Sequence, residues 1–425
     1  MEILIIAIFI LGYLAIAFEH SLRINKTAPA LLAGVLCWTV YIIFSNDKDF
    51  VNLQLTESLG EFAGILFFLM GAMTIVEVID THDGFQIITK RITQTSKRRL
   101  LWIISGIAFF LSAVLDNLTT AIVMVSLLQK IIREPKERLY YAGMIILASN
   151  AGGAWSPIGD VTTTMLWIGG QITAGAIIKS LFIPSVVSIV VPLAILAPRL
   201  RGVYEPVASI ETKTSLSLTS SQQWVVLLTG IGVLVAVPVF KTLTHLPPYM
   251  GILIGLAILW IVTESIGGSN EGKDRYMLSP AYALRRIDTP SILFFLGILL
   301  CIAVLEKIGV LTSLASALDH QIGNMSAIAI ILGALSAIVD NVPLVAATQG
   351  MYPLSQYPVD HDMWMFLAYA TGTGGSMLII GSAAGVAVMG LEKIDFMWYL
   401  RNITWIALIG YLAGAFTLIL LQMIS

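Results

Sequence analysis

Residues 112–120 read SAVLDNLTT and residues 336–344 read SAIVDNVPL, so each stretch sets an Asp-Asn pair, Asp116-Asn117 and Asp340-Asn341, in an otherwise apolar run. A carboxylate is costly there, since an Asp at the centre of a membrane helix is disfavoured by roughly 2.5–3.5 kcal/mol on insertion scales. The two pairs lie 224 positions apart (116 to 340), and the glycine pairs Gly152-Gly153 and Gly374-Gly375 lie 222 apart (152 to 374). An offset shared by unrelated motifs points to two duplicated halves.

The surroundings of these motifs decide the class. Of 425 residues, 57% are hydrophobic and only 12% charged, where soluble domains carry about 25% charged residues. That composition excludes a soluble enzyme or a nucleic-acid-binding protein and predicts an all-α polytopic membrane protein embedded in the lipid bilayer. Apolar runs long enough to cross about 30 Å of hydrocarbon recur along the whole sequence. The first, Ile3 to Phe18, lacks a basic leader and a small-residue cleavage site, and reads as a retained span. Cys37 and Cys301 sit in apolar segments without metal-ligand spacing, which predicts packing roles.

Polar breaks divide the chain into spans near 3–18, 28–44 and 59–79, followed by an amphipathic basic segment, Gly84 to Arg99, expected along the membrane surface. The run from Leu100 to Gln129 is interrupted at Asp116-Asn117 and flanked by basic residues at both ends, as a hairpin entering and leaving on one face would be. A span near 139–169 is interrupted by SNAGGAWSPIGD (Ser149 to Asp160), whose glycines and Pro157 are expected to break the helix. Another span covers about 173–197. After a polar stretch at 199–222 the order repeats: spans near 223–240, 248–263 and 291–308, an interrupted run at Asp340-Asn341, a glycine-broken span at 361–390 and a last span at 396–423.

The predicted architecture is therefore two inverted-topology repeats, each with five transmembrane spans, one of them broken, and a re-entrant helical hairpin. The boundaries follow: 1–99 and 223–320 as scaffold parts, 100–198 and 321–425 as transport parts, and 199–222 as a cytoplasmic linker. With residues 80–99 inside, all of the 24 lysines and arginines except Lys48, Lys179, Lys241 and Lys307 fall on the inner side, as the positive-inside rule requires. Both chain ends are then outside.

Half-helices that stop in mid-membrane leave carbonyl and N–H groups without helical partners, and side-chain oxygens gather naturally around them. The expected ion-binding residues are Asp116, Asn117 and Thr119 at the first tip, Asp340 and Asn341 at the second, Ser149, Asn150 and Asp160 in the first broken span, and Thr371, Thr373, Ser376 and Ser382 in the second. Pro343 suits the first turn of the outgoing half-helix. Capping alone does not account for the Asp residues, because Ser or Asn would cap without a buried charge. Oxygen donors of this kind suit hard cations, and Na⁺ is expected at Asp116, Asn117, Asn150, Asp340, Asn341 and Thr373. Glu77 and Glu306 end corresponding spans, where ion pairing, for Glu306 with Lys307, competes with an accessory role. His82, near Glu77 and Asp80, is a candidate pH sensor.

The two Asp-Asn hairpins, SNAGGAWSPIGD and TGTGGS (Thr371 to Ser376) together resemble the NhaD-type sodium/proton antiporters of the ion transporter superfamily, over nearly the whole chain. The resemblance implies a homodimer in a bacterial inner (plasma) membrane, exchanging Na⁺ or Li⁺ for H⁺ without a cofactor. It also implies a transport domain of hairpins and broken spans that moves elevator-like against a scaffold. Relatives that carry anions resemble a Ser-Asn-Thr pattern at each tip; here Asp116 and Asp340 replace the serine, and a fixed negative charge favours a cation. Two other readings compete: an arsenite or carboxylate transporter of the same superfamily, and an intramembrane aspartyl protease, whose glycine-aspartate element Ile158 to Asp160 resembles but whose Tyr-Asp partner is absent. A passive cation channel is separated from an exchanger by whether Na⁺ can be concentrated against its gradient.

Overall fold

The computed structural model describes residues 1–17, 24–89, 96–132, 134–204, 218–267, 276–323, 325–337 and 341–424. Asp340 lies outside them. The described secondary structure is helical apart from one bridge between Ser96 and Val203. Eight of the described helices are long and apolar enough to span a bilayer, which makes this a polytopic integral membrane protein.

The first half runs through α1 (Glu2–Ala17), α2 (Thr27–Phe44), α3 (Lys48–Thr81), the short α4 (Gly84–Thr89), α5 (Lys97–Leu115), α6 (Asn117–Ile131), α7 (Pro135–Ala154), α8 (Val161–Ile168) and α9 (Ala174–Leu196). The second comprises α10 (Ser220–Thr244), α11 (Pro248–Gly267), α12 (Pro280–Arg286), α13 (Thr289–Lys307), α14 (Val310–Ile322), α15 (Met325–Leu335), α16 (Asn341–Met351), α17 (Asp362–Gly374), α18 (Ala383–Glu392), α19 (Phe396–Asn402) and α20 (Thr404–Ile424). Helix α3 has 34 residues, about 51 Å at 1.5 Å per residue, so it starts well before the span at 59–79 expected from hydropathy.

The helices sort into two packed groups. In one, α2 crosses α13, α1 packs on α2, and α11 packs on α3 and α10. Glycines permit the crossing of α2 on α13: a Cβ on Gly34 would lie 2.7 Å from the Gly297 carbonyl oxygen, and one on Gly297 would lie 2.5 Å from the Ala30 carbonyl carbon. Trp38 Nε1 donates to the Leu300 carbonyl at 3.1 Å across the same seam. Cys37 and Cys301 are buried and free here, in packing positions.

The other group joins α5 to α7, α15 to α17 and α9 to α20, and crosses between halves where α6 meets α18 and α8 meets α16. Pro192 has no N–H to give the Ser188 carbonyl, and α20 closes on that exposed group: a Cβ on Gly410 would sit 2.3 Å from the Ser188 oxygen. The first interrupted span breaks within the expected stretch, at 155–160 with Pro157 and Gly159, but two of its glycines are not in the break. Gly152 and Gly153 belong to the last turn of α7, and the chain leaves the helix only at 155–160. Their purpose is contact: a Cβ on Gly152 would fall 2.1 Å from the Phe109 carbonyl oxygen, and one on Gly374 2.1 Å from that of Gly333. Gly152 and Gly374 let a helix lie directly on the backbone of its neighbour, while Gly153 and Gly375 face the Gly159 and Gly381 carbonyls of the loop that follows each helix.

Candidate functional site

Helix α5 ends and α6 begins at Asp116, whose backbone has φ +98° and ψ 159°. This region favours glycine and costs a residue with a Cβ on the order of 1–3 kcal/mol. Two local bonds offset part of the cost: Asp116 Oδ1 accepts from the Thr119 backbone N–H and Oδ2 from the Thr119 hydroxyl, each at 2.8 Å. A glycine would turn the chain without strain but would bring no carboxylate to this position.

The next residue, Asn117, is buried and leads to a second carboxylate. Asn117 Nδ2 donates to Asp160 Oδ2 at 2.8 Å and to Asn150 Oδ1 at 3.0 Å. From the other half, Asn341 Nδ2 lies 3.5 Å from both oxygens of Asp160. Asn150 Nδ2 donates in turn to Ser382 Oγ at 2.9 Å. Thus Asn117, Asn150, Asp160, Asn341 and Ser382, drawn from five elements and both halves, form one buried polar cluster.

Local chain geometry explains how these residues arrive. Asp160 is the N-cap of α8 with φ −143° and ψ 149°, and Ser382 is the N-cap of α18 with φ −142° and ψ 152°. Asp160 Oδ1 accepts from the Thr162 N–H at 3.0 Å, and Ser382 Oγ from the Gly385 N–H at 3.2 Å. The two half-helix N-termini thereby turn N–H groups toward the cluster. Equivalent hydroxyls pin the neighbouring helices: Ser112 Oγ donates to the Ser149 carbonyl at 2.6 Å, and Ser336 Oγ to the Thr371 carbonyl at 3.1 Å.

The remaining expected residues are placed as follows. Thr119 faces Asp116. Ser149, Thr371 and Thr373 are buried, and their hydroxyls donate back along their own helices, to the carbonyls of Ile145, Leu367 and Tyr369. Ser376 Oγ donates to the Thr373 carbonyl. Glu77 lies outside the cluster and pairs with Arg286 at 2.9 Å. Glu306 borders α16, where a Cβ on Gly350 would lie 3.3 Å from its Oε2. His82 caps α3 and is fully buried; its Nδ1 is 2.8 Å from the Val78 carbonyl, and burial holds its imidazole below the ordinary value despite that bond.

A cavity extends from the cluster toward the starts of α2 and α13. Its wall includes Asp116, Asn117, Asp160, Thr164 and Asn341, and it reaches Lys26 and Ser291, at the starts of α2 and α13. Lys26 was not among the expected residues. It precedes an apolar span like any flanking lysine, and only the packing of α2 on α13 brings it to the cavity. Ser112 and Ser336 were also missed as positioning groups, although both stand at the same place in the repeated motif.

The Asp116 and Asp160 carboxylates both line this cavity beside buried amide groups at the ends of interrupted helices, a donor set that suits a desolvated cation. Among the described residues no group of three or more His, Cys, Asp or Glu side chains forms a transition-metal site.

Comparison with known proteins follows the same direction. The family described as citrate transporter matches residues 6–372. Sodium/proton antiporter 1 of Arabidopsis thaliana is 49% identical over 96% of this chain and 70% of its own length. Sodium/proton antiporter 2 of the same plant is 46% identical over 96% and 97%. The Na(+)/H(+) antiporter NhaD of Alkalimonas amylolytica is 30% identical over 96% and 88%.

Proposed function

The chain belongs to the NhaD-type sodium/proton antiporters, within the family described as citrate transporter, and from that premise we propose that it exchanges Na⁺ or Li⁺ for H⁺ at the cluster around Asp116 and Asp160. It is a transporter and not an enzyme. The observation that carries the reading is the convergence of Asn117 and Asn341, one from each half, on the carboxylate of Asp160. Asp340, adjacent to Asn341, is the further carboxylate we assign to the site.

In this reading a cation enters along the cavity from the Lys26 side, loses water, and takes oxygens from Asp116, Asp160 and the amide groups beside them. Protonation of the carboxylates removes the charge that holds the cation and releases it. Asn117 and Asn150 keep the Asp160 oxygens directed into the site. Ser149, Thr371, Thr373, Ser376 and Ser382 supply lone pairs around it.

Alternating access follows as an elevator-like movement of residues 100–198 and 321–425 against a scaffold of 1–99 and 223–320 in a homodimer. The two packed groups of helices support that division, as do the matched caps and carbonyl contacts of the two halves. The inverted arrangement of the halves is supported by the contacts at each face. Arg138 meets Glu392 and Arg286 meets Glu77 on the side assigned to the cytoplasm. Thr173 meets Asp360, and Lys241 meets Trp167, on the other. We place both ends outside, in a membrane that maintains a proton gradient, of which the bacterial inner membrane is one; two of the relatives are from a plant.

The test is proton flux in proteoliposomes driven by Na⁺, repeated with Li⁺, K⁺ and citrate. Alkali-cation-driven flux is expected. Citrate uptake without coupled Na⁺/H⁺ exchange would favour the anion-carrier reading.

A further inference from the structure

We propose that Lys241 is the positioning residue that holds the half-helix carrying Asp160 against the scaffold on the outer face, so that the site opens only toward the inner face until this contact breaks. The inference rests on the exchange reading above.

Helix α8 is only eight residues long, with Asp160 as its N-cap, so whatever holds its far end fixes the carboxylate. That end is held from α10. Lys241 Nζ donates to the Trp167 carbonyl at 2.7 Å and lies 4.6 Å from the centroid of the Trp167 ring. A cation bonded to a last-turn carbonyl complements the helix dipole, and the ring face adds a second attraction. The opposite side of the contact is closed by Phe68 of α3, whose ring meets that of Trp167 edge-on at 6.3 Å.

The cavity extends toward the other end. Lys26 and Ser291 line the cavity and stand at the starts of α2 and α13, whereas Lys241 stands in the last turn of α10. Helix α10 follows the linker assigned to the cytoplasm, so its last turn is on the outer face and the Lys26 end of the cavity on the inner. The equivalent half-helix of the second repeat is tied differently. Helix α18 ends at Glu392, which pairs at 2.8 Å with Arg138 of α7, inside the moving group. Of the two half-helices, α8 is the one that, among the described residues, a charged side chain fastens to the scaffold side, and presenting Asp160 outward requires that contact to part.

The test uses the full-length protein with Cys37 and Cys301 replaced by alanine and with Val114→Cys on the cavity wall. An impermeant maleimide is applied from either side of the membrane, and labelling at position 114 is read by mass spectrometry. The inside-to-outside ratio is expected to fall by about fivefold or more in Lys241→Met and to stay within about twofold in Lys241→Arg, which keeps both attractions. An unchanged ratio in the Met variant, or an equal fall in the Arg variant, overturns the proposal. A Lys241→Cys/Trp167→Cys pair joined by a short bifunctional thiol reagent is expected to confine labelling to the inside, and reduction to restore the outside; outside labelling while joined overturns it. Labelling requires no ion flux. Loss of the exchange reading would therefore appear as absent Na⁺-driven proton flux, and loss of this proposal as an unresponsive ratio.

Discussion

The side-chain amide of Asn117 lies 2.8 Å from the carboxylate of Asp160, although 43 residues separate them in the chain. This contact ties the first helix pair to the broken span behind it and fixes the central carboxylate. Replacing Asp160 with Asn removes the charge at constant shape. Na⁺-driven proton flux is expected to fall at least about tenfold, equivalent to about 1.4 kcal/mol, with membrane insertion intact. Asp116→Asn is expected to do the same. Wild-type flux in either variant removes that carboxylate from the mechanism.

Asn150 bridges the halves by accepting from Asn117 and donating to Ser382. Asn150→Ala deletes both bonds and takes one of two partners from each of Asn117 and Ser382, at about 1–3 kcal/mol. The expected result is a raised half-saturating Na⁺ concentration beyond any fall in maximal rate, measured by titrating Na⁺ at fixed pH. A change in maximal rate alone would assign Asn150 to packing.

Arg138 and Glu392 form an ion pair whose carboxylate is fully buried. Arg138→Met strands that charge and is expected to cost about 3–5 kcal/mol, whereas the Arg138→Met/Glu392→Met double variant recovers much of the loss. Thermal unfolding in detergent reads both. A double variant less stable than the single one contradicts the pair as drawn.

His82 gives a pH signature with a definite sign. Burial lowers its folded-state value below 6.5, so the unfolded chain takes up a proton that the folded chain refuses. Stability is expected to fall as pH drops through about 6.5, by at most about 1.4 kcal/mol per pH unit from this group. His82→Asn flattens that part of the profile in thermal unfolding between pH 8 and 5. Superimposable profiles would exclude His82 as the source.

The helices and the interrupted spans were legible in the sequence because the membrane demands long apolar runs and makes each break conspicuous. The Asp116-Asn117 pair and Asp160 were legible for the same reason. The centrality of Asp160 was not, since it depends on Asn341 approaching from the other half. The break falls at 155–160, after Gly152 and Gly153, because sequence cannot distinguish a glycine that ends a helix from one, such as Gly152, pressed on the backbone of Phe109. The pairing of Glu77 with Arg286 was invisible because 209 positions separate them. Of the basic surface segment expected over Gly84 to Arg99, Gly84–Thr89 form α4, Lys97 to Arg99 instead open α5, and residues 90–95 lie outside the described residues.

Topology yields to labelling. In a cysteine-free background, a cysteine at Ser96 is expected to be shielded from impermeant reagent in intact cells and one at Ser355 to react. Reaction of both from the same side contradicts the inverted arrangement.

The central claim, that Na⁺ and H⁺ compete for the same carboxylates, is tested most directly by the half-saturating Na⁺ concentration measured at symmetrical pH values from about 6 to 9. One-proton competition predicts a rise of about tenfold for each pH unit lost on the acid limb, a slope approaching two if two carboxylates titrate together, and a plateau at alkaline pH. A half-saturating concentration that stays constant while the maximal rate falls on acidification would contradict direct competition and assign the proton to a separate group.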